Sequence, residues 1–169
     1  TLVMEKTMPL NGSGCNATHH RVIDYEKLMR IGIKGILEEI DGYLKEETDL
    51  GKQAFYKASR MSLEAVVRFA RRYKTKIEEQ MKQEKDETRK QELAQMAENF
   101  AHAPYEPCTH FYEALQCMWF VQFCFKLVND PTLTGRLDNY LYPYYKKDLE
   151  EGILTKEFAF ELIEQLFYK

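Results

Sequence analysis

The run Phe111–Val128, FYEALQCMWFVQFCFKLV, constrains this chain more than any other stretch. It carries the only Trp, four phenylalanines and two cysteines, with too few polar residues to form a wide solvated face. A helix that is apolar around most of its circumference has to be buried on nearly every side. A short polar turn follows, Asn129 to Gly135, and then Arg136, Asp138 and four tyrosines between positions 140 and 145. A chain of 169 residues rarely needs such a helix unless it belongs to something larger.

The length fits one domain without an internal boundary across 1–169, and there are no repeats or low-complexity linkers. Apolar content of 44% and charged content of 30% are those of a globular protein. A net charge of −3, with Glu interleaved among Lys and Arg, excludes a nucleic-acid footprint. Gln116, Gln122 and Lys126 break the best membrane candidate, which falls short of about 18 apolar residues, so no membrane partner is expected. The start TLVMEKTMP lacks the basic and apolar regions of a signal peptide, which favours a cytoplasmic protein. It also lacks an initiating Met and ends within a helical pattern, so the chain reads as a processed protein or a fragment. Cys15, Cys108, Cys117 and Cys124 include no CxxC pair and are expected to be reduced, mostly buried thiols.

The periodicity predicts an all-α fold of about five to six helices. Leu2, Val3 and Met4 suggest a short strand, and 9–19 a Gly-rich loop. Asp24 caps a helix to about Lys45, with Ile33, Ile36, Leu37, Ile40 and Leu44 inward. Gly32 and Gly35 inside it suggest close approach by a neighbouring element. Thr48 or Asp49 opens a long helix over about 50–82, with the stripe Ala54, Ala58, Met61, Ala65 and Phe69, widened by Leu63, Val66, Val67 and Ala70. The charged run 82–92 is a solvated face or exposed turn. A third helix, about 88–101, buries Leu93, Met96, Ala97 and Phe100 before Pro104 and Pro107 end it. Thr109 is expected to cap the apolar helix, Pro143 to kink or divide the next one, and Gly152 to end it. Thr155 opens a last helix with Phe158, Leu162, Ile163 and Leu166 inward.

Few residues carry a chemical signal. His19 and His20, in a Gly-rich loop before a helix, suit contact with a polar substrate, acid–base work near neutral pH or metal binding; the plain alternative is a pair of exposed loop histidines. Cys15, His19 or His20, Cys108 and His110 are zinc-ligand types, but their C-x3-H and C-x-H spacings lie roughly 90 residues apart and match no known knuckle, so no metal is expected. Cys117 and Cys124, seven apart on one helix face, read as packing. In Asn129–Asp138, NDPTLTGRLD, Gly135 permits an unusual backbone angle, Arg136 can pair with Asp138, and Asp130 to Thr134 form a polar turn suited to a cavity edge. Ser/His/Asp triads, P-loops, GxGxxG and HExxH are absent.

Taken together, four stretches resemble the glycyl radical enzymes, the pyruvate formate-lyase family. They are HHRVIDYEKLMRIGIKGI (19–36), FYKASRMSLEAVVRFARRY (55–73), PYEPCTHFYEALQCMWF (104–120) and TGRLDNYLYPYYKKDLEEGILT (134–155). The "EALQ" helix followed by a "GR-x-D-x-Y-x-x-P-Y-Y" segment is the specific part. Family members are several times longer, with a barrel of β-strands enclosed by helices. One inner loop carries the cysteine that becomes a thiyl radical, and another near the C-terminus carries the radical glycine. Neither a "G-C-x-E-P"-like loop nor an "RVxGY"-like segment occurs here, so the resemblance implies a piece of the N-terminal half, inactive alone, with no catalytic residue.

The resemblance implies a parent that is a lyase, dehydratase or formate acyltransferase, cleaving C–C, C–O or C–N bonds anaerobically. Its cofactor would be the glycyl radical installed by an S-adenosylmethionine iron–sulfur activating enzyme, with none bound by this chain. Its partners would be a small-molecule substrate, the remainder of the parent chain and, as a further option, a second copy. By resemblance the substrate-binding positions are His20, matching the histidine of the family's "GH", its neighbour His19, and Asn129, Thr132 and Thr134 in the turn before "GR", where Pro131–Thr132 replaces a frequent His-Ser. Arg136, Asp138 and Trp119 are expected to be structural. The alternative is a freestanding all-helical interaction or scaffold module without catalysis.

Overall fold

A computed structural model describes residues 22–128 and 132–168. Within them the chain forms six helices: α1 Tyr25–Glu46, α2 Leu50–Gln83, α3 Glu87–His102, α4 Phe111–Leu127, α5 Leu137–Glu150 and α6 Lys156–Phe167. The only extended pairing among the described residues is an isolated parallel bridge between Val22 and Leu133. The suggested strand at Leu2–Met4 and the loop 9–19 lie outside the described residues.

Helix starts follow side-chain capping. Asp24, Asp49, Asp86 and Thr155 each accept from the backbone N–H three residues on, satisfying an otherwise orphaned donor. At α4 the expected cap shifts by one residue. His110, extended, is the N-cap, while Thr109 donates its N–H and Oγ1 to Glu113 Oε2 at 2.6 and 3.0 Å. Pro143 does not divide α5, which runs unbroken through it. The donor it lacks would have bonded the carbonyl of Asn139, an exposed position where water can serve instead.

α4 is the hub: it packs against each of the other five helices. Phe120, fully buried, meets Phe69 and Tyr73 of α2 and Phe100 of α3 at centroid separations of 5.1–5.6 Å. Gln116, a polar break in the apolar run, is also buried. It accepts from Asn99 Nδ2 at 2.9 Å and donates to Met96 O at 3.0 Å, so it ties α4 to α3. The buried positions end at Val121, with Tyr112 and Trp119 half-buried among them, and Leu127 and Val128 emerge exposed, so the helix is enclosed over its first two-thirds rather than throughout.

The α2 stripe is a second correction. Ala54, Ala58, Met61 and Ala65 are exposed, and the inner face is Leu63, Val66, Val67, Phe69 and Ala70. Both faces of this 34-residue helix carry apolar side chains, so the 3.6 period alone did not choose between them. On α6 the inward residues are Ala159, Leu162, Ile163 and Leu166, whereas Phe158 is 43% exposed against the edge of Tyr112.

Two buried carboxylates fix the start of α4. Asp148 of α5, 2% exposed, accepts from Phe111 N at 2.7 Å and from His110 Nδ1 at 3.0 Å. Negative charge at a helix N-terminus is favourable both for the free amides and for the helix dipole. Asp148→Ala should therefore lower stability by about 2–3 kcal/mol, because it leaves the buried Phe111 amide without its acceptor. Urea unfolding measures this, and a loss near zero would show that the amide finds another partner.

Candidate functional site

The turn before Gly135 is held from two helices and from the segment that leads into α1. Gln122 of α4 donates from Nε2 to Thr132 O at 2.9 Å, and Tyr140 of α5 donates its hydroxyl to Thr134 O at 2.8 Å. Val22, just before α1, bridges to Leu133. Gly135 has φ +63°, and a Cβ there would lie 2.7 Å from Val22 Cγ1, so glycine is required both for the angle and for the close approach. The backbone of Thr132–Gly135 is thus fixed on both edges.

Within this clamp the Thr132 side chain is buried, and beside it lies Tyr25, the first residue of α1. The Tyr25 ring packs against Tyr140 at 5.3 Å. Burial pushes the Tyr25 phenol up, with the Thr132 hydroxyl acting the other way, yet neither oxygen has a partner in hydrogen-bond geometry among the described residues. Tyr140 is pushed up too, by burial and then by Tyr25. None of these phenols is therefore an anion near neutral pH.

The sequence-derived positions separate in space. His19, His20 and Asn129 lie outside the described residues, as does Cys15. Thr132 and Thr134 both sit in the clamp, Thr134 through its carbonyl. Arg136 and Asp138 form a two-bond pair at 3.0 and 2.7 Å on the surface, which lowers the Asp138 carboxyl and raises the Arg136 guanidinium. Side-chain exposures of 75% and 67% make this pair a weak contributor to stability. Trp119 stacks flat on Phe123, centroids 5.4 Å apart. Tyr25 and Gln122 were not picked as site residues: Gln122 counted only as a break in the apolar run, and a lone tyrosine at a helix start carries no signal of its own.

The described thiols do not offer a reactive centre. Cys108 and Cys117 are buried, and the Cys108 thiol is raised by its neighbour Cys117 and by burial. Burial pushes Cys124 up to about 11. With their thiols raised, Cys108 and Cys124 stay protonated and poorly nucleophilic. Among the described residues no three His, Cys, Asp or Glu side chains converge on a metal position, and His110 is engaged with Asp148.

The sequence matches the family model described as pyruvate formate lyase-like over residues 3–169. This chain belongs to the pyruvate formate lyase-like glycyl radical enzymes. It is similar to the isethionate sulfite-lyase of Desulfovibrio desulfuricans, 38% identical over 153 residues, which cover 85% of this chain and 18% of that one. Among solved structures, one on 1,2-propanediol dehydration in Roseburia inulinivorans superposes with a TM-score of 0.81 at 35% identity, over 86% of this chain and 18% of that one. The glycerol-bound B12-independent glycerol dehydratase of Clostridium butyricum superposes at 0.79 with 30% identity, over 88% and 20%. This member of the family thus spans about a fifth of the length of the relatives it matches, 18–20% of each. Its six helices correspond to part of their fold.

Proposed function

We propose that this chain is a wall segment of a glycyl radical lyase or dehydratase acting on a small hydroxylated molecule, and that it works only within the longer enzyme. The observation that carries the reading is the clamped Thr132–Gly135 turn, a backbone held at three points that presents a buried hydroxyl. Rigid placement of polar groups is what a radical enzyme needs from its pocket wall, since it must hold the substrate in one orientation and exclude water. Isethionate, glycerol and 1,2-propanediol, the molecules named with the relatives, all carry a hydroxyl on a short carbon chain. Thr132 would accept or donate to such a hydroxyl, with Thr134, Asn129, His19 and His20 completing this edge of the pocket.

The glycyl radical, installed by an S-adenosylmethionine iron–sulfur activating enzyme, would supply the hydrogen-atom abstraction. The described thiols of this chain do not fit a part in that step, being buried or pushed up, and their work is packing. The surface supports the same division of labour. Leu50, Phe55 and Met61 on α2 and Phe160 and Phe167 on α6 are more than half exposed, apolar area that the remainder of the parent would cover. A freestanding scaffold module is disfavoured by the family match along residues 3–169.

The test is anaerobic turnover by the full-length parent with its activating enzyme, offered isethionate, glycerol and 1,2-propanediol separately. One of the three should be consumed, while residues 1–169 alone consume none. Thr132→Val in the parent should raise KM for the consumed substrate about tenfold, the effect of one lost hydrogen bond. An unchanged KM would remove the turn from the pocket.

A further inference from the structure

Buried polar side chains in this molecule find partners almost everywhere. Asn99 and Gln116 bond each other, Glu113 takes the Thr109 amide and hydroxyl, and Asp148 takes Phe111 N and His110. Two atoms break the pattern. Tyr25 Oη and Thr132 Oγ1 are buried and have no hydrogen-bond partner among the described residues. Their residues are 1% and 8% exposed. A hydroxyl taken out of water without a partner is costly, and native proteins seldom tolerate it. Here both exceptions lie at the turn clamped by α4, α5 and Val22, Tyr25 reaching it through its ring contact with Tyr140.

Both hydroxyls sit on anchored residues. The Tyr25 ring is fixed by Tyr140, whose own hydroxyl is spent on Thr134 O, and the Thr132 backbone is fixed by Gln122. Each hydroxyl can donate once and accept, so a single small oxygen between or beside them would satisfy both. We propose that Tyr25 Oη and Thr132 Oγ1 form a two-hydroxyl subsite that holds one small hydroxyl-type oxygen, a water or the hydroxyl of a bound substrate. Tyr25 is then a positioning residue, holding that guest against Thr132. This rests on reading the turn as a pocket edge and extends it to a residue on a different helix.

Crystal structures of the full-length, radical-free protein, grown with and without glycerol as the probe, test this directly. Without glycerol, one ordered water should lie within about 3.2 Å of both oxygens. With it, either a glycerol hydroxyl takes that place or the same water remains, which separates the two sources. A direct Oη–Oγ1 hydrogen bond without a guest would overturn the proposal, as would a side chain from the rest of the parent filling the position. A guest that is present but sealed from the barrel interior would defeat the pocket-edge reading alone.

Tyr25→Phe in the full-length protein supplies an independent readout. Because it keeps the ring and its packing on Tyr140 and gives up only the bond to a small guest, its melting temperature should change little, while the guest is lost. KM for the consumed substrate should rise roughly three- to tenfold with kcat nearly constant. A lowered melting temperature with KM unchanged would mark Tyr25 as structural and end the proposal.

Discussion

Gly32→Ala is expected to lower stability by about 4 kcal/mol or more. Gly32 interrupts α1 with φ +66° and ψ 174°, a region that is essentially closed to residues with a side chain. The chain kinks there to admit the segment after α3, and Ile33 N and Lys34 N donate to Pro104 O and Tyr105 O at 2.9 Å. A Cβ at Gly32 would sit 2.3 Å from Tyr105 O and 2.7 Å from Glu106 C. Both are backbone atoms, so no rotamer change relieves the overlap and α1 would have to part from the 104–106 segment. Gly152→Ala is the natural control: φ is +70° there too, but nothing lies within 4 Å of the added carbon. It should cost only the conformational strain, about 1 kcal/mol. Denaturant unfolding of both variants separates the two effects, and equal losses would mean that the clash at Gly32 is relieved.

The second large effect is expected at Phe120. Phe120→Ala removes a fully buried ring from the junction of α2, α3 and α4 and should cost about 3–5 kcal/mol. The site resists collapse around the void, because Phe69, Tyr73 and Phe100 come from two other helices that also hold each other. Phe120→Leu, which keeps much of the volume, should cost less than half as much. The adjacent Trp119 is the only Trp, so its emission reports the change on the same helix during unfolding. A cost below about 1 kcal/mol would mean that α4 is not the hub of the packing.

Much of this architecture is visible in the chain. Asp24, Asp49 and Thr155 mark helix starts because a short oxygen-bearing side chain answers a local need, an unpaired amide three residues on. Gly32 announced a close approach because only a residue without Cβ permits one, although which segment approaches is a tertiary fact. The α2 face was half legible: Leu63, Val66, Val67, Phe69 and Ala70 turn inward as expected, whereas Ala54, Ala58, Met61 and Ala65 do not. Leu50, Phe55 and Met61 are as apolar as Leu63 and Val67, and which set turns inward depends on what lies across from it. Pro143 misled for a similar reason, since the break it threatens is harmless where the affected carbonyl faces water.

The site was half legible. Thr132 and Thr134 came from the resemblance of the "GR" segment, and glycine at 135 from its backbone freedom. What the linear chain hides is the clamp: Gln122, Tyr140 and Val22 come from three places in the sequence and meet only at this turn. Tyr25 lies 107 positions before Thr132, and no periodicity links them.

The most direct measurement is electron paramagnetic resonance on the full-length parent and on residues 1–169, each treated anaerobically with the activating enzyme and S-adenosylmethionine. A glycine-centred radical should appear in the parent alone, with turnover confined to the same sample. A radical or turnover in residues 1–169, or a parent that turns over without any radical, would contradict the assignment of this chain as the wall of a glycyl radical enzyme.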